Sequence, residues 1–223
     1  MKIFLDTEFT GLRQHTSLIS LGLVTSDNTV FYAEFTDYDK VLIDEWLQNN
    51  VIAYLNINTI GKETYKFNSP YFNTIIKGNT AQIKEALLEW LNQFDKVQIW
   101  SDCLSYDWVL FNELFGGARK IPSNISYIPM DICTLFELKG INPDIDRRKF
   151  SGLNYVNHNA LNDAKIIKRC YEKLMEDTVI LSKEKYDYFV NRDYFLDCLE
   201  ANGVNNWIGY GDAQEMYNEE EEE

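Results

Sequence analysis

Apolar and polar residues recur along the chain with two different periods, and these periods predict its secondary structure. Three short apolar segments near the N-terminus are rich in β-branched residues, which is typical of strands. They span residues 2–9, 17–25 and 30–35, and the turn residues between the last two predict an antiparallel meander. Apolar residues spaced three and four apart predict helices over 79–94 and 159–176 instead.

Strands and helices alternate through the middle of the chain. The pattern predicts strands over 96–101 and 127–130 and helices over 41–48, 105–115 and 132–138, while 49–78 fits no single element. Three strands followed by alternating helices and strands is the order of the ribonuclease H-like fold. We therefore expect an α/β fold with a mixed five-stranded sheet flanked by helices. The first strand would be central, and its carboxyl end is where such sheets place ligands.

The C-terminal part of the chain is expected to lie outside this main domain of residues 1–176. A helical pattern over 182–201 predicts a small helical module over 177–211. Its residues Leu196–Tyr210 resemble a short terminal module of phage-encoded proteins, which implies a phage origin. Residues 212–223 include seven acids, five of them consecutive glutamates, and predict a disordered acidic tail.

Composition and charge narrow the possible partners. The 223 residues are 45% hydrophobic, so a sizeable core is expected, but no apolar run is long enough to cross a membrane. Four scattered cysteines and no signal-peptide pattern predict a reducing, cytoplasmic location. A net charge of −14 argues against tight duplex binding through phosphates. This charge remains compatible with an enzyme that binds only a few nucleotides and does so through divalent cations.

Two carboxylates at the end of the first strand are the strongest sign of chemistry. Because side chains alternate along a strand, Asp6 and Glu8 share one face. Two acids this close repel each other, and burying them unpaired is costly, so a site that holds both usually holds a cation. A solvent-facing edge strand is the alternative reading of these two residues alone.

Further candidates follow in later elements. Asp107 lies in the first turn of the helix predicted after the fourth strand, with Asp102 as the rival acid and a helix-dipole role as the alternative for Asp107. Asp163 shares a face of the last helix with apolar residues, so that face is expected to pack inward. His158 precedes this helix, and we place it in the entering loop, able to face the site.

Taken in order, Asp6-x-Glu8, Asp107 and His158-x4-Asp163 resemble the DEDDh family of 3′–5′ exonucleases over residues 1–176. The wording Asp6-Thr7-Glu8-Phe9 and the pair Tyr106-Asp107 look most like the bacterial exoribonuclease AS branch, which is associated with adenylate-rich RNA. Other DEDDh enzymes often have threonine where this chain has Phe9.

The resemblance implies a divalent-metal-dependent exoribonuclease that releases nucleoside 5′-monophosphates from single-stranded RNA. Asp6, Glu8 and Asp163 would hold one of two Mg²⁺ or Mn²⁺ ions, and Asp107 would support the other. His158 would be the general base. The substrate would contact Thr7, Phe9 and Trp108, and a homodimer is expected. The alternatives are a DNA exonuclease of the same chemistry and a catalytically idle nucleotide-binding module.

Overall fold

The computed structural model describes residues 1–67, 69–102, 104–176 and 178–221. The chain divides into two compact units, Met1–Asp177 and Thr178–Glu223, whereas the sequence pattern predicted a main domain over 1–176 and a module over 177–211. Within the described ranges, none of the helices combines the length and the apolar character that a membrane span requires.

A mixed sheet forms the framework of the first unit. Its strands are β1 (Lys2–Phe9), β2 (Leu18–Thr25), β3 (Val30–Phe35), β4 (Gly61–Tyr65), β5 (Asn73–Gly78), β6 (Gln98–Ser101) and β7 (Met130–Asp131). They lie in the order β4-β5-β3-β2-β1-β6-β7. The strand β1 pairs antiparallel with β2 and parallel with β6. Because β2 also pairs antiparallel with β3, the predicted meander is confirmed.

The sheet has seven strands, so the prediction of five was wrong. The two additional strands are β4 and β5, which pair antiparallel within the segment that fitted no element. All residues of β4 are exposed, so the alternation of buried and exposed residues that identifies a strand is missing there. The strand predicted over 127–130 was also misplaced, since β7 comprises only Met130–Asp131.

Six α-helices belong to the first unit as described. They are α1 (Glu45–Asn50), α2 (Thr80–Leu91), α3 (Leu104–Leu114), α4 (Ile132–Leu138), α5 (Arg147–Ser151) and α6 (Ala160–Glu176). A capping box fixes the start of α2, because the side chain of Asn79 accepts from the N–H of Gln82 and the Gln82 side chain accepts in return. Asp44 caps α1 in a similar way, by accepting from the N–H of Leu47.

Helices cover both faces of the sheet. One buried cluster joins Ile3 and Leu5 of β1 to Trp90 of α2 and Phe111 of α3. A second cluster on the other face joins Phe4 to residues of α4 and α6. The strand β1 is therefore covered on both sides, with Ile3 and Leu5 facing one layer of helices and Phe4 facing the other.

The second unit consists of α7 (Lys183–Ala201) and α8 (Ile208–Glu221), joined by a short 3₁₀ helix. Residues 212–221 lie in α8, which corrects the prediction of a disordered tail, and residues 222–223 lie outside the described residues. Glutamate is a good helix former, so an acidic run at a helix end does not by itself prevent helix formation. No described side chain of this unit is buried.

Candidate active site

The carboxyl half of β1 presents Asp6 and Glu8 toward α6. Both side chains lie on the same face as Phe4, because alternate residues of a strand share a face. Phe4 packs in the cluster that contains Ala164 and Ile167 of α6. The regular pairing of β1 with β2 continues through Glu8 and shifts only after it. The two acids are thus held on a rigid part of the sheet.

Gly22 allows α6 to approach the sheet closely enough to complete the group. It lies opposite Asp6 in the neighbouring strand β2. A Cβ atom at Gly22 would lie 2.3 Å from the carbonyl carbon and oxygen of Ala160, at the start of α6. Since this space is filled by backbone, only glycine fits there without displacing the helix.

This close approach brings Asp163 of α6 to the two acids of β1. One carboxylate oxygen from each of Asp6, Glu8 and Asp163 lies within 4.8 Å of the others. The N–H of Asn159 donates to Asp163 Oδ2 at 3.2 Å, which orients this carboxylate. The structure therefore brings together three of the four predicted metal ligands through oxygen atoms suited to a hard cation.

The fourth acid, Asp107, is buried in α3 and held by two hydroxyl groups. Thr7 Oγ1 donates to Asp107 Oδ1 at 2.6 Å, and Ser101 Oγ donates to Asp107 Oδ2 at 2.5 Å. Asp107 lines the same cavity as the other three acids. The side chain of Thr7, a residue predicted to contact the substrate, is thus hydrogen-bonded to this acid.

The rival acid, Asp102, is paired with a cation. Arg147 Nε and Nη2 donate to its two oxygens at 3.0 and 2.9 Å, which is a bidentate ion pair. Cys133 Sγ also donates to Asp102 Oδ1 at 3.0 Å. Asp102 lines the cavity, but its oxygens are already hydrogen-bonded to Cys133 of α4 and Arg147 of α5.

Burial and mutual repulsion shift the acids toward their neutral forms. The pKa of Asp6 is raised well above its ordinary value by burial and by the charges of Asp107, Asp163 and Glu8. Burial, with the charges of Asp163 and Asp107, raises the pKa of Glu8 to about 8. Burial raises the pKa of Asp163 to about 6. A divalent cation would relieve this repulsion, so the residues present fit such an ion.

His158 lies in the loop before α6 and lines the cavity. Its φ of 59° is in the left-handed region, which is uncommon for a residue other than glycine. The ring meets Trp46 edge-on, with the ring centroids 5.0 Å apart. Burial lowers the pKa of His158, and the charge of Arg148 lowers it further. The imidazole is therefore neutral at neutral pH and able to accept a proton.

The two aromatic residues predicted as substrate contacts differ in position. Phe9 lines the cavity and stacks on Tyr106, with centroids 5.3 Å apart. Trp108 instead stacks on Phe111 and packs against the core, and it does not line the cavity, so its contact with substrate stays a prediction. Trp108 follows Asp107 by one position, about 100° further around α3, and there it packs toward Phe111.

Three further residues of the site escaped the sequence analysis. Trp46 and Arg148 line the cavity, whose volume is about 780 Å³. Asn159 caps α6 by accepting from the N–H of Asn162, and its amide donates to Tyr32 Oη at 3.3 Å and to a main-chain carbonyl at 3.2 Å. An asparagine before a helical pattern is a recognisable capping signal, whereas no sequence pattern around Trp46 indicates that it belongs to the site.

Comparisons with known proteins cover both parts of the chain. Residues 1–175 match the family described as 3′-5′ exoribonuclease Rv2179c-like domain, and residues 172–221 match the family described as Phage T7 gp5.9 RecBCD inhibitor. The 3′-5′ exoribonuclease Rv2179c of Mycobacterium tuberculosis strain H37Rv is 25% identical over 142 residues, 63% of this chain and 76% of the relative. Its counterpart in strain CDC 1551 matches to the same extent.

Among solved structures, the Neurospora crassa Pan2 catalytic unit (protease and nuclease domain) matches with a TM-score of 0.37 and 16% identity. The match covers 91% of this chain and 29% of that one.

Proposed function

The chain belongs to the Rv2179c-like 3′–5′ exoribonuclease domain family, and from this premise we propose that it is a divalent-metal-dependent exonuclease of the DEDDh type. It would remove nucleoside 5′-monophosphates from the 3′ end of single-stranded RNA. The observation that carries this proposal is the convergence of Asp6, Glu8 and Asp163, whose oxygens lie within 4.8 Å of one another. The raised pKa values of Asp6 and Glu8 support it, because they reflect a repulsion that a cation would relieve.

Each residue has a role that follows from its position. Asp6, Glu8 and Asp163 would hold one Mg²⁺ or Mn²⁺, and Asp107, fixed by Thr7 and Ser101, would support a second. Bound cations of this kind lower the pKa of a water molecule and neutralise charge on the leaving oxygen.

The neutral ring of His158 accepts the proton of the attacking water. Its position is fixed by the cap residue Asn159, since the Asn159 side chain is hydrogen-bonded on three sides. Phe9 and Trp46 present ring surfaces to the cavity, against which the terminal base can stack.

A degradation assay tests this proposal. The substrate is a 5′-labelled single-stranded RNA, with a DNA of the same sequence beside it, incubated with Mg²⁺, Mn²⁺ or EDTA. We expect RNA shortened stepwise from its 3′ end with either metal and no cleavage with EDTA. Asp6→Asn should abolish cleavage, while Asp95→Asn, the same change at an exposed acid outside the cavity, should not.

The alternatives give different results in the same assay. A DNA exonuclease would shorten the DNA faster than the RNA. An idle nucleotide-binding module would bind the labelled strands without shortening them under any condition. Shortening from the 5′ end, or cleavage that persists in EDTA, would contradict the proposal.

We propose a second function for the C-terminal unit, namely binding to the RecBCD nuclease of a bacterial host. The match of residues 172–221 to the family described as Phage T7 gp5.9 RecBCD inhibitor supports it and is in keeping with the proposed phage origin. The unit also carries 12 of the chain's 35 acidic residues and large exposed side chains such as Trp207, which is 67% exposed.

This second function is tested by RecBCD digestion of linear duplex DNA. The full chain should slow the digestion, whereas a chain that ends at Glu176 should not. Unchanged digestion at excess full chain would contradict it.

A further inference from the structure

A second cavity adjoins the one that contains the acids. Its volume is about 440 Å³, and it shares Arg148, Asn157 and His158 with the first cavity. The remaining wall is formed by residues 50, 54 and 154–156. A ligand that enters the first cavity can therefore continue past His158 into the second.

The two cavities differ in charge. Eight of the described side chains that line the first cavity are acidic, including Asp6, Glu8 and Asp163. None of the described side chains that line the second is acidic, and Arg148 is its fixed cation. The second cavity is suited to a phosphodiester group, which the first cavity would repel unless cations were bound.

Arg148 is available to a ligand. Within the described part of the chain, no hydrogen bond or ion pair engages its guanidinium, although the side chain is half-buried. Its neighbours are both engaged, Arg147 with Asp102 at 2.9 Å and Lys149 with Asp146 at 3.8 Å. The charge of Arg148 still lowers the pKa values of Asp163 and Asp146, but its guanidinium N–H groups are left for a ligand that supplies an anion.

The rest of the second cavity suits a nucleotide base. Tyr54 and Tyr155 are 41% and 38% exposed, so part of each side chain is open to a ligand. Tyrosine rings stack on any base, whatever its sequence. The side-chain amides of Asn50, Asn154 and Asn157 add donors and acceptors for base edges and ribose hydroxyls.

We propose that the second cavity binds the nucleotide that precedes the 3′-terminal one, with Arg148 contacting the phosphate that precedes the scissile phosphate. This inference rests on the proposed exonuclease function and adds to it the path of the substrate. The 3′-terminal nucleotide occupies the acidic cavity, and the chain leaves past His158 over the two tyrosines.

A matched pair of substrates tests this path. A dinucleoside monophosphate contains only the scissile phosphate, whereas a trinucleotide without a 5′ phosphate adds one phosphate and one base before it. We expect Arg148→Gln to lower kcat/KM for the trinucleotide by about tenfold or more, the usual effect of losing a charge-assisted hydrogen bond. The loss for the dinucleoside monophosphate should be several-fold smaller, because it reflects only the effect of the Arg148 charge on His158 and Asp163, so the ratio of the two values is the measure of the proposed contact.

Lys149→Gln is the control variant, because it removes the same charge one residue away. The Lys149 side chain is 86% exposed and lines neither cavity. It should leave both substrates unaffected. An equal loss on the two substrates with Arg148→Gln would instead place Arg148 at the scissile phosphate and overturn the proposal. No loss on either substrate would overturn it as well.

Binding measurements separate this inference from the proposed function. The probe is a 5′-labelled five-nucleotide RNA, titrated in the Asp6→Asn background at several KCl concentrations. Arg148→Gln should weaken binding and reduce the slope of log Kd against log [KCl] by about 0.7, the value for one single-strand phosphate contact. If RNA is bound in this way but the wild-type protein never cleaves it, the exonuclease function fails while the path stands. Cleavage with a slope unchanged by Arg148→Gln refutes the path alone.

Discussion

Replacing Gly22 by alanine tests whether the approach of α6 to the sheet creates the site. Gly22 lies opposite Asp6, and a Cβ atom there would come within 2.3 Å of the Ala160 carbonyl and 2.4 Å of the Leu161 nitrogen. Ordinary contact begins at 3.4 Å, so the start of α6 must move by about 1 Å to accommodate it. Asp163 lies within the first turn of α6 and must move with it.

The expected loss follows from this displacement. A 1 Å misplacement of a catalytic group costs about a hundredfold in rate, so kcat with Mg²⁺ should fall by about that factor. Forcing one extra methyl group into a packed contact costs about 1–3 kcal/mol of stability, which lowers Tm by several degrees in a chain of this size. Stopped-flow or gel measurements of RNA cleavage and thermal unfolding give the two quantities.

Gly78→Ala provides the matched control, since Gly78 also lies in a strand of the same sheet. Its Cβ atom would meet Gln82 Oε1 at 2.7 Å, the end of a side chain that can turn aside. We expect a small loss of stability from the disturbed cap of α2 and an unchanged kcat. If Gly22→Ala retains the wild-type kcat and Tm, α6 does not depend on this glycine and the reasoning is refuted.

Three further predictions follow from the site and the two units. His158→Ala should lower kcat by about two to four orders of magnitude at neutral pH, with part of the loss recovered at higher pH, and an unchanged pH–rate profile would make His158 structural. In EDTA, Tm should fall as pH rises from about 4.5 to 8. The pKa of Glu8 is about 8 in the folded protein and 4.5 by ordinary value, so its contribution to stability is complete below about 4.5 and is lost as the pH rises through 8. Mg²⁺ should therefore raise Tm more at pH 8 than at pH 5, and Glu8→Gln should reduce that difference. A chain ending at Glu176 should still cleave short RNA but be less soluble or change its oligomeric state, which gel filtration would detect. Equal solubility with an unchanged oligomeric state would contradict this role of the second unit, and loss of cleavage would mean that the chemistry depends on it.

The sequence predicted those parts of the site that depend on local periodicity. Alternation along β1 places Asp6 and Glu8 on one face whatever the sheet around them, and the apolar stripe of α6 turns Asp163 inward. Asp107 and Trp108 lie about 100° apart around α3, and tertiary packing decides that Asp107 lines the cavity while Trp108 stacks on Phe111.

Contacts between distant residues could not be predicted in this way. Arg147 and Arg148 are adjacent in the sequence and look alike there. Only the structure shows that Arg147 forms an ion pair with Asp102, 45 residues away, and that Arg148 does not. Trp46 reaches the site because α1 packs beside His158, which no local pattern indicates. The strand β4 escaped prediction because it is held by main-chain pairing at a sheet edge, with every side chain exposed.

A calorimetric titration of the metal-free protein with Mn²⁺ at pH 8 tests most directly the central claim that Asp6, Glu8 and Asp163 form a metal site. The proposed site predicts that the wild-type protein binds Mn²⁺, that Asp163→Asn weakens this binding by about tenfold or more, and that Asp95→Asn leaves it unchanged. A wild-type protein that binds no Mn²⁺, or an Asp163→Asn variant that binds it as tightly as the wild type, would contradict the assignment of Asp6, Glu8 and Asp163 as a metal site.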